Sequence, residues 1–265
     1  MKYLNSFSQR ILRASAFLDS HKGEIISIIL SFVVLSILIN VKIAALLAIV
    51  LIIHEGGHGW AMLKKNMGIN KVFFFIIGGG ISPKRQFESY NEVAFVAIMG
   101  SVFTLALIVI LSLVWCIFKI GLLANVIILL STITVFNLLP YAFLDGGLIQ
   151  NSIQKSDKFG QIYFLIPEIM IVSFLVFKSK IVLFILILLL IDSWKKYKGV
   201  KLEKHKLENN PNPEAMTSLT KKEIRTYYAA YFAIVIICIM IGLMLELNGF
   251  SLDMSFSLDN ISKDM

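Results

Sequence analysis

Apolar residues fill this chain in long runs separated by short polar links. Runs of about 20 residues with few charges predict helices that cross a bilayer. By that rule spans fall at 24–39, 43–63, 93–118, 122–139, 162–177, 181–191 and 227–247. The fifth and sixth are short and suggest a tight hairpin. Segment 72–81, VFFFIIGGGI, is too short to span as a helix. Its β-branched and aromatic residues read as a strand or re-entrant piece, ending in Gly78, Gly79 and Gly80. The competing reading is an amphipathic loop on the membrane surface. The expected fold class is an all-α polytopic membrane protein of about seven transmembrane helices, with a short Gly-rich β or re-entrant segment.

Composition agrees. Of 265 residues, 57% are hydrophobic and 16% charged, with a mean hydropathy of +0.81. Soluble domains carry about 25% charged residues. Net charge is +8, which in a soluble chain would raise nucleic acid as a partner. Here the excess lies in loops between spans, where the positive-inside rule accounts for it, so no nucleic acid is expected. Cys116 and Cys238 fall within spans and form no spaced pair, which argues against a disulfide framework or a thiolate metal site. The first residues have no cleavable apolar core, so no cleaved signal peptide is expected.

Lys and Arg cluster in alternate loops. That places 1–22 in the cytoplasm, a six-span region at 23–191, a polar cytoplasmic linker at 192–226, a last span at 227–247 and an extracytoplasmic tail at 248–265. The expected location is the cell membrane, with multiple passes through the lipid bilayer. The span at 43–63 then runs inward and carries its polar residues towards the cytoplasmic face.

Those polar residues are His54-Glu55-Gly56-Gly57-His58. On a helix, HExxH sets two imidazoles one turn apart on one face with a glutamate beside them. The pattern offers two zinc ligands and a general base. Two imidazoles hydrogen-bonded between helices are the alternative, and each would then need its own partner. Ionisable groups within a span are costly, so three in five residues point to a function that requires them. The chain has 4 His in all, and the other two, His21 and His205, lie in polar stretches.

A zinc hydrolase takes a third protein ligand and leaves one position open. The candidate is Asp145, in Asn137-Leu-Leu-Pro140-Tyr-Ala-Phe-Leu-Asp145-Gly-Gly147. It follows the fourth span, which also runs inward, so its depth matches the histidines. Pro140 should break the helix there. Taken alone, Asp145 reads better as a capping residue at a span end. An exposed strand edge at Gly78–Gly80 could pair with an extended substrate.

Together HEGGH and NLLPYAFLDGG, in this order and apolar setting, resemble the site-2 protease family of intramembrane zinc metalloproteases (peptidase family M50). The likeness is closest to its compact bacterial sporulation-type members and covers about 43–147. It implies one Zn2+ per chain on His54, His58 and Asp145, with Glu55 as the catalytic glutamate. Asn137 is implied to sit near the substrate or its oxyanion. The implied substrate is a membrane-embedded protein or a membrane-bound precursor peptide. The chain departs from many members in having Ser101 after Gly100 where they carry Gly-Pro. No nucleotide-binding or PDZ domain of the kind some relatives add is visible. The competing functions are a membrane transporter and an inactive protease relative.

Overall fold

The computed structural model describes residues 22–38, 41–75, 78–140, 144–157, 162–178 and 216–250. Among these it is mostly helical, with seven helices and one two-stranded sheet. The order is α1 (Lys22–Leu38), α2 (Val41–Lys64), β1 (Ile69–Phe75), β2 (Gly78–Pro83), α3 (Tyr90–Phe118), α4 (Gly121–Asn137), α5 (Asp145–Ser156), α6 (Ile162–Lys178) and α7 (Lys221–Leu247).

Three helices are long and apolar enough to cross a membrane: Ala44–Lys64 within α2, Tyr90–Phe118 and Lys221–Leu247. Helices α1, α4 and α6 are apolar but only 17 residues each. The expected span at 181–191 lies outside the described residues, as do 1–21, most of the linker and the tail at 251–265.

Helix α3 is the hub and packs against α2, α4, α5 and α7. Its inner face contributes Ile98, Ile108 and Trp115 to a core shared with Ile127, Ile128 and Leu130 of α4 and Tyr231 and Val235 of α7. Its outer face shows Ile110, Leu113, Ile117 and Phe118. A helix apolar on every side suits a lipid surround.

The structure differs from the sequence reading at three places. Helix α7 begins at Lys221, not Tyr227, because Thr220 and Glu223 form a capping box that starts the helix within a polar stretch. Helix α5 was not foreseen. It follows the break at Pro140, and Leu144, not Asp145, is its N-cap. A glutamate at a span end is ordinarily solvated, but Glu92 is buried, and its Oε1 lies 2.6 Å from Arg85 Nη2. That bond holds the Arg85 guanidinium more firmly protonated than water would.

Segment 72–81 is largely strand. Within the hairpin Val72 pairs Ile81, Phe73 pairs Gly80, Phe74 pairs Gly79 and Phe75 pairs Gly78. Helix α1 packs against β1, and β2 lies against α2. No third strand joins β2 among the described residues.

The break between α4 and α5 is held from two sides. Leu138 caps α4, and its carbonyl accepts a hydrogen bond from the hydroxyl of fully buried Tyr231 on α7. A buried carbonyl without a partner would be costly, so Tyr231 fixes where α4 ends. At Gly146 any Cβ would run into the Leu138 carbonyl and lie 2.6 Å from Leu139 O. Only glycine lets α5 start against the last turn of α4, and this contact positions the neighbouring Asp145.

Candidate metal centre

Helix α2 presents His54 and His58 on one face, because residues four apart stack along a helix. The first residue of α5, Asp145, meets them. His54 Nε2 lies 3.2 Å from His58 Nε2 and 3.1 Å from Asp145 Oδ2. His58 Nε2 lies 3.4 Å from Asp145 Oδ1. The three side chains thus close a triangle that could hold a metal ion. All are buried, at 5%, 8% and 9% exposure, so little water reaches them to share their charge.

The outer ring nitrogens indicate how the imidazoles are protonated. His58 Nδ1 lies 2.7 Å from the Val96 carbonyl, which can only accept, so Nδ1 carries the proton. In the neutral imidazole His58 Nε2 is then a lone pair on the Asp145 side. At His54 the outer nitrogen meets the Thr104 hydroxyl at 3.2 Å, and the inner one meets Asn137 Nδ2 at 3.0 Å. An amide nitrogen donates, so His54 Nε2 accepts and is likewise a lone pair. Two ring nitrogens and a carboxylate converge within 3.4 Å of one another. Asp145 Oδ2 is buried with no hydrogen-bond donor among the described residues. Such a donor set repels itself unless a cation sits at its centre, so the residues fit a divalent metal.

Glu55 is also buried, at 5% exposure. Its Oε2 has no hydrogen-bond partner among the described residues. On its other side, a Cβ built at Gly79 of β2 would lie 2.9 Å from Glu55 Oε1. The carboxylate is therefore wedged between the histidine helix and the hairpin. Gly79 thus reaches it. Gly80 faces the Phe73 ring, and Gly78 sits at the end of β2 opposite Phe75.

Three features of the centre were not read from sequence. Gly100 of α3 lies directly against both imidazoles, and a Cβ there would overlap His58 Nε2 and lie 2.9 Å from His54 Cε1. Thr104, one turn on, and the Val96 carbonyl, one turn back, bond the outer nitrogens. A small residue and a hydroxyl residue four apart inside an apolar run were the only sequence signal.

No protein-family model, curated protein or solved structure matches the chain. The chemical reading of the centre therefore rests on its own geometry.

Proposed function

We propose that the chain is an intramembrane zinc metalloprotease of the site-2 type. It would hydrolyse a peptide bond in or near the membrane span of a membrane protein or membrane-bound precursor peptide. The observation that carries this reading is the buried His54–His58–Asp145 triangle beside an unpartnered Glu55 carboxylate, on a helix of membrane-spanning length. His54 Nε2 lies 3.2 Å from His58 Nε2 and 3.1 Å from Asp145 Oδ2, and His58 Nε2 lies 3.4 Å from Asp145 Oδ1; separations of this size suit zinc, since a tetrahedral ion bound at about 2.05 Å keeps its ligands about 3.3 Å apart. A transporter needs neither this triangle nor a glutamate beside it.

When bound, zinc supplies Lewis acidity that makes water a nucleophile near neutral pH and polarises a carbonyl. His54, His58 and Asp145 would hold it. Glu55 takes the proton from the attacking water as oxygen bonds to the scissile carbon. It then delivers that proton to the amide nitrogen as the C–N bond breaks. Asn137 has an amide donor beside the ligand nitrogen of His54. With His54 Nε2 engaged as a ligand, the Asn137 amide would be free to donate to the developing oxyanion.

A helical substrate must unwind before it can be cut. The edge of β2 next to Glu55, which no other strand joins among the described residues, offers an extended partner strand. The re-entrant reading of Gly78–Gly80 belongs to this proposal, because backbone edges at membrane depth are tolerated only against protein or a wet cavity.

The membrane placement rests on charge and aromatic anchors. Lys64 Nζ sits 4.6 Å from the Trp60 ring centroid, and Lys65 Nζ sits 5.2 Å from that of Phe95. Lys with Trp at a helix end marks the bilayer interface. His58 lies about 9 Å back along the axis from Lys64. The centre would then open towards the cytoplasm in a seven-span chain, with its N-terminus inside and its C-terminus outside.

The test is cleavage in liposomes. Purified protein is reconstituted with a panel of single-span proteins that carry helix-weakening residues near one end of the span. Cleavage should stop on chelation and return with added zinc. Cleavage that continues in metal-free protein would overturn the proposal.

A further inference from the structure

We infer that Thr104 is a positioning residue that sets the tautomer of His54 and so preforms the metal site. The inference rests on the metal-site reading above but goes beyond its ligand set. The two histidines are oriented by different chemistry. His58 bonds a backbone carbonyl, which accepts and does nothing else. His54 bonds a hydroxyl, which can either give or receive a proton. Left to itself, that hydroxyl would serve either tautomer.

The geometry removes the choice. The Thr104 hydroxyl lies 3.0 Å from the carbonyl oxygen of Gly100, four residues back on α3, and donates to it. With its single proton committed there, Oγ1 is left as an acceptor towards His54 Nδ1 at 3.2 Å. His54 therefore carries its proton on Nδ1. From the far side, the Asn137 amide nitrogen lies 3.0 Å from Nε2, and as a donor it favours the same tautomer. The chain of donors runs one way, from Asn137 to His54 to Thr104 to the Gly100 carbonyl. Every link is buried or half-buried. In this tautomer His54 Nε2 would offer its lone pair to a metal in place of the Asn137 donor.

One turn of α3 thus performs two tasks. Gly100 clears the space the imidazoles occupy, and Thr104 orients the ring that fills it. A threonine in mid-helix also bonds back to its own helix for packing reasons alone, so the test must separate the two roles. Thr104→Val keeps the shape and removes the hydroxyl. Thr104→Ser keeps the hydroxyl and removes the methyl. Zn2+ affinity is measured on full-length purified protein by competition with a chromophoric chelator, and thermal unfolding is measured on the metal-free forms.

The expected result is a loss of about 10–100-fold in Zn2+ affinity for Thr104→Val, the usual cost of removing a partner that orients a ligand. Thr104→Ser should stay within about threefold of wild type, because its hydroxyl restores the acceptor. A packing role gives the reverse order. Wild-type affinity in Thr104→Val, or equal losses in both variants, would overturn the inference while leaving the metal site standing. No Zn2+ binding by wild type would overturn both. Should Thr104→Val fail to fold, histidine 15N spectra of the metal-free wild type decide the matter. A proton on Nδ1 of His54 supports the inference, and a proton on Nε2 overturns it.

Discussion

Glu55→Gln should reduce peptide cleavage by about 10^2–10^4-fold, the range for removing a positioned proton-transfer group. The substitution keeps side-chain length and removes the charge and the basic oxygen. Glu55 ligates nothing in the triangle, so metal content should stay near wild type. The protein should remain folded, because Oε2 makes no hydrogen bond that the amide would break. Relief of a buried charge could even raise thermal stability. The informative comparison is therefore cleavage against bound metal in one preparation. A variant that binds metal and does not cut assigns Glu55 to proton transfer. Full cleavage by Glu55→Gln would remove it from the mechanism.

Gly100→Ala is the second large effect, and it comes from a residue with no functional group. The new Cβ would fall on His58 Nε2 and within 3 Å of His54 Cε1, where it must displace the ligands themselves. The helices cannot part easily, because Gly57 of α2 backs directly onto the Met99 carbonyl of α3 and also leaves no room for a Cβ. Overpacking of this kind costs about 1–3 kcal/mol. Falling on the ligands, that is about 5–150-fold in metal affinity. Gly56→Ala is the matched control. It lies in the same helix, between Glu55 and Gly57, and nothing stands within 4 Å of its Cβ position. It should bind metal as wild type does and be slightly better as a helix. Metal titrations of the two variants check this, and wild-type affinity in Gly100→Ala would contradict the packing argument.

The sequence was most legible where physics acts locally. Apolar runs located α2, α3 and α7, because spanning a bilayer imposes length and hydrophobicity together. The HExxH spacing put His54 and His58 on one face because helical periodicity requires it. Asp145 was a candidate from its order after the fourth span and the break at Pro140, its ligand role was implied by the family resemblance, and the structure brings it to the histidines. Helix α5 was hidden because its first turn, Asp145-Gly146-Gly147, reads as a turn by propensity. The start of α7 was hidden in charge, although Thr220 and Glu223 stand at capping-box spacing. The burial of Glu92 is hidden from sequence because its partner, Arg85, lies in the preceding loop. Thr104, Gly100 and Tyr231 act across helices on residues far away in sequence, and no local pattern carries such contacts.

The central claim is a metal held by His54, His58 and Asp145. It is tested most directly by metal analysis of detergent-purified wild type, His54→Ala and Asp145→Asn, each supplemented with zinc and then desalted. The expected result is about one zinc per wild-type chain and a small fraction of that in both variants. Wild-type protein that folds but retains no metal, or variants that retain as much as wild type, would contradict it.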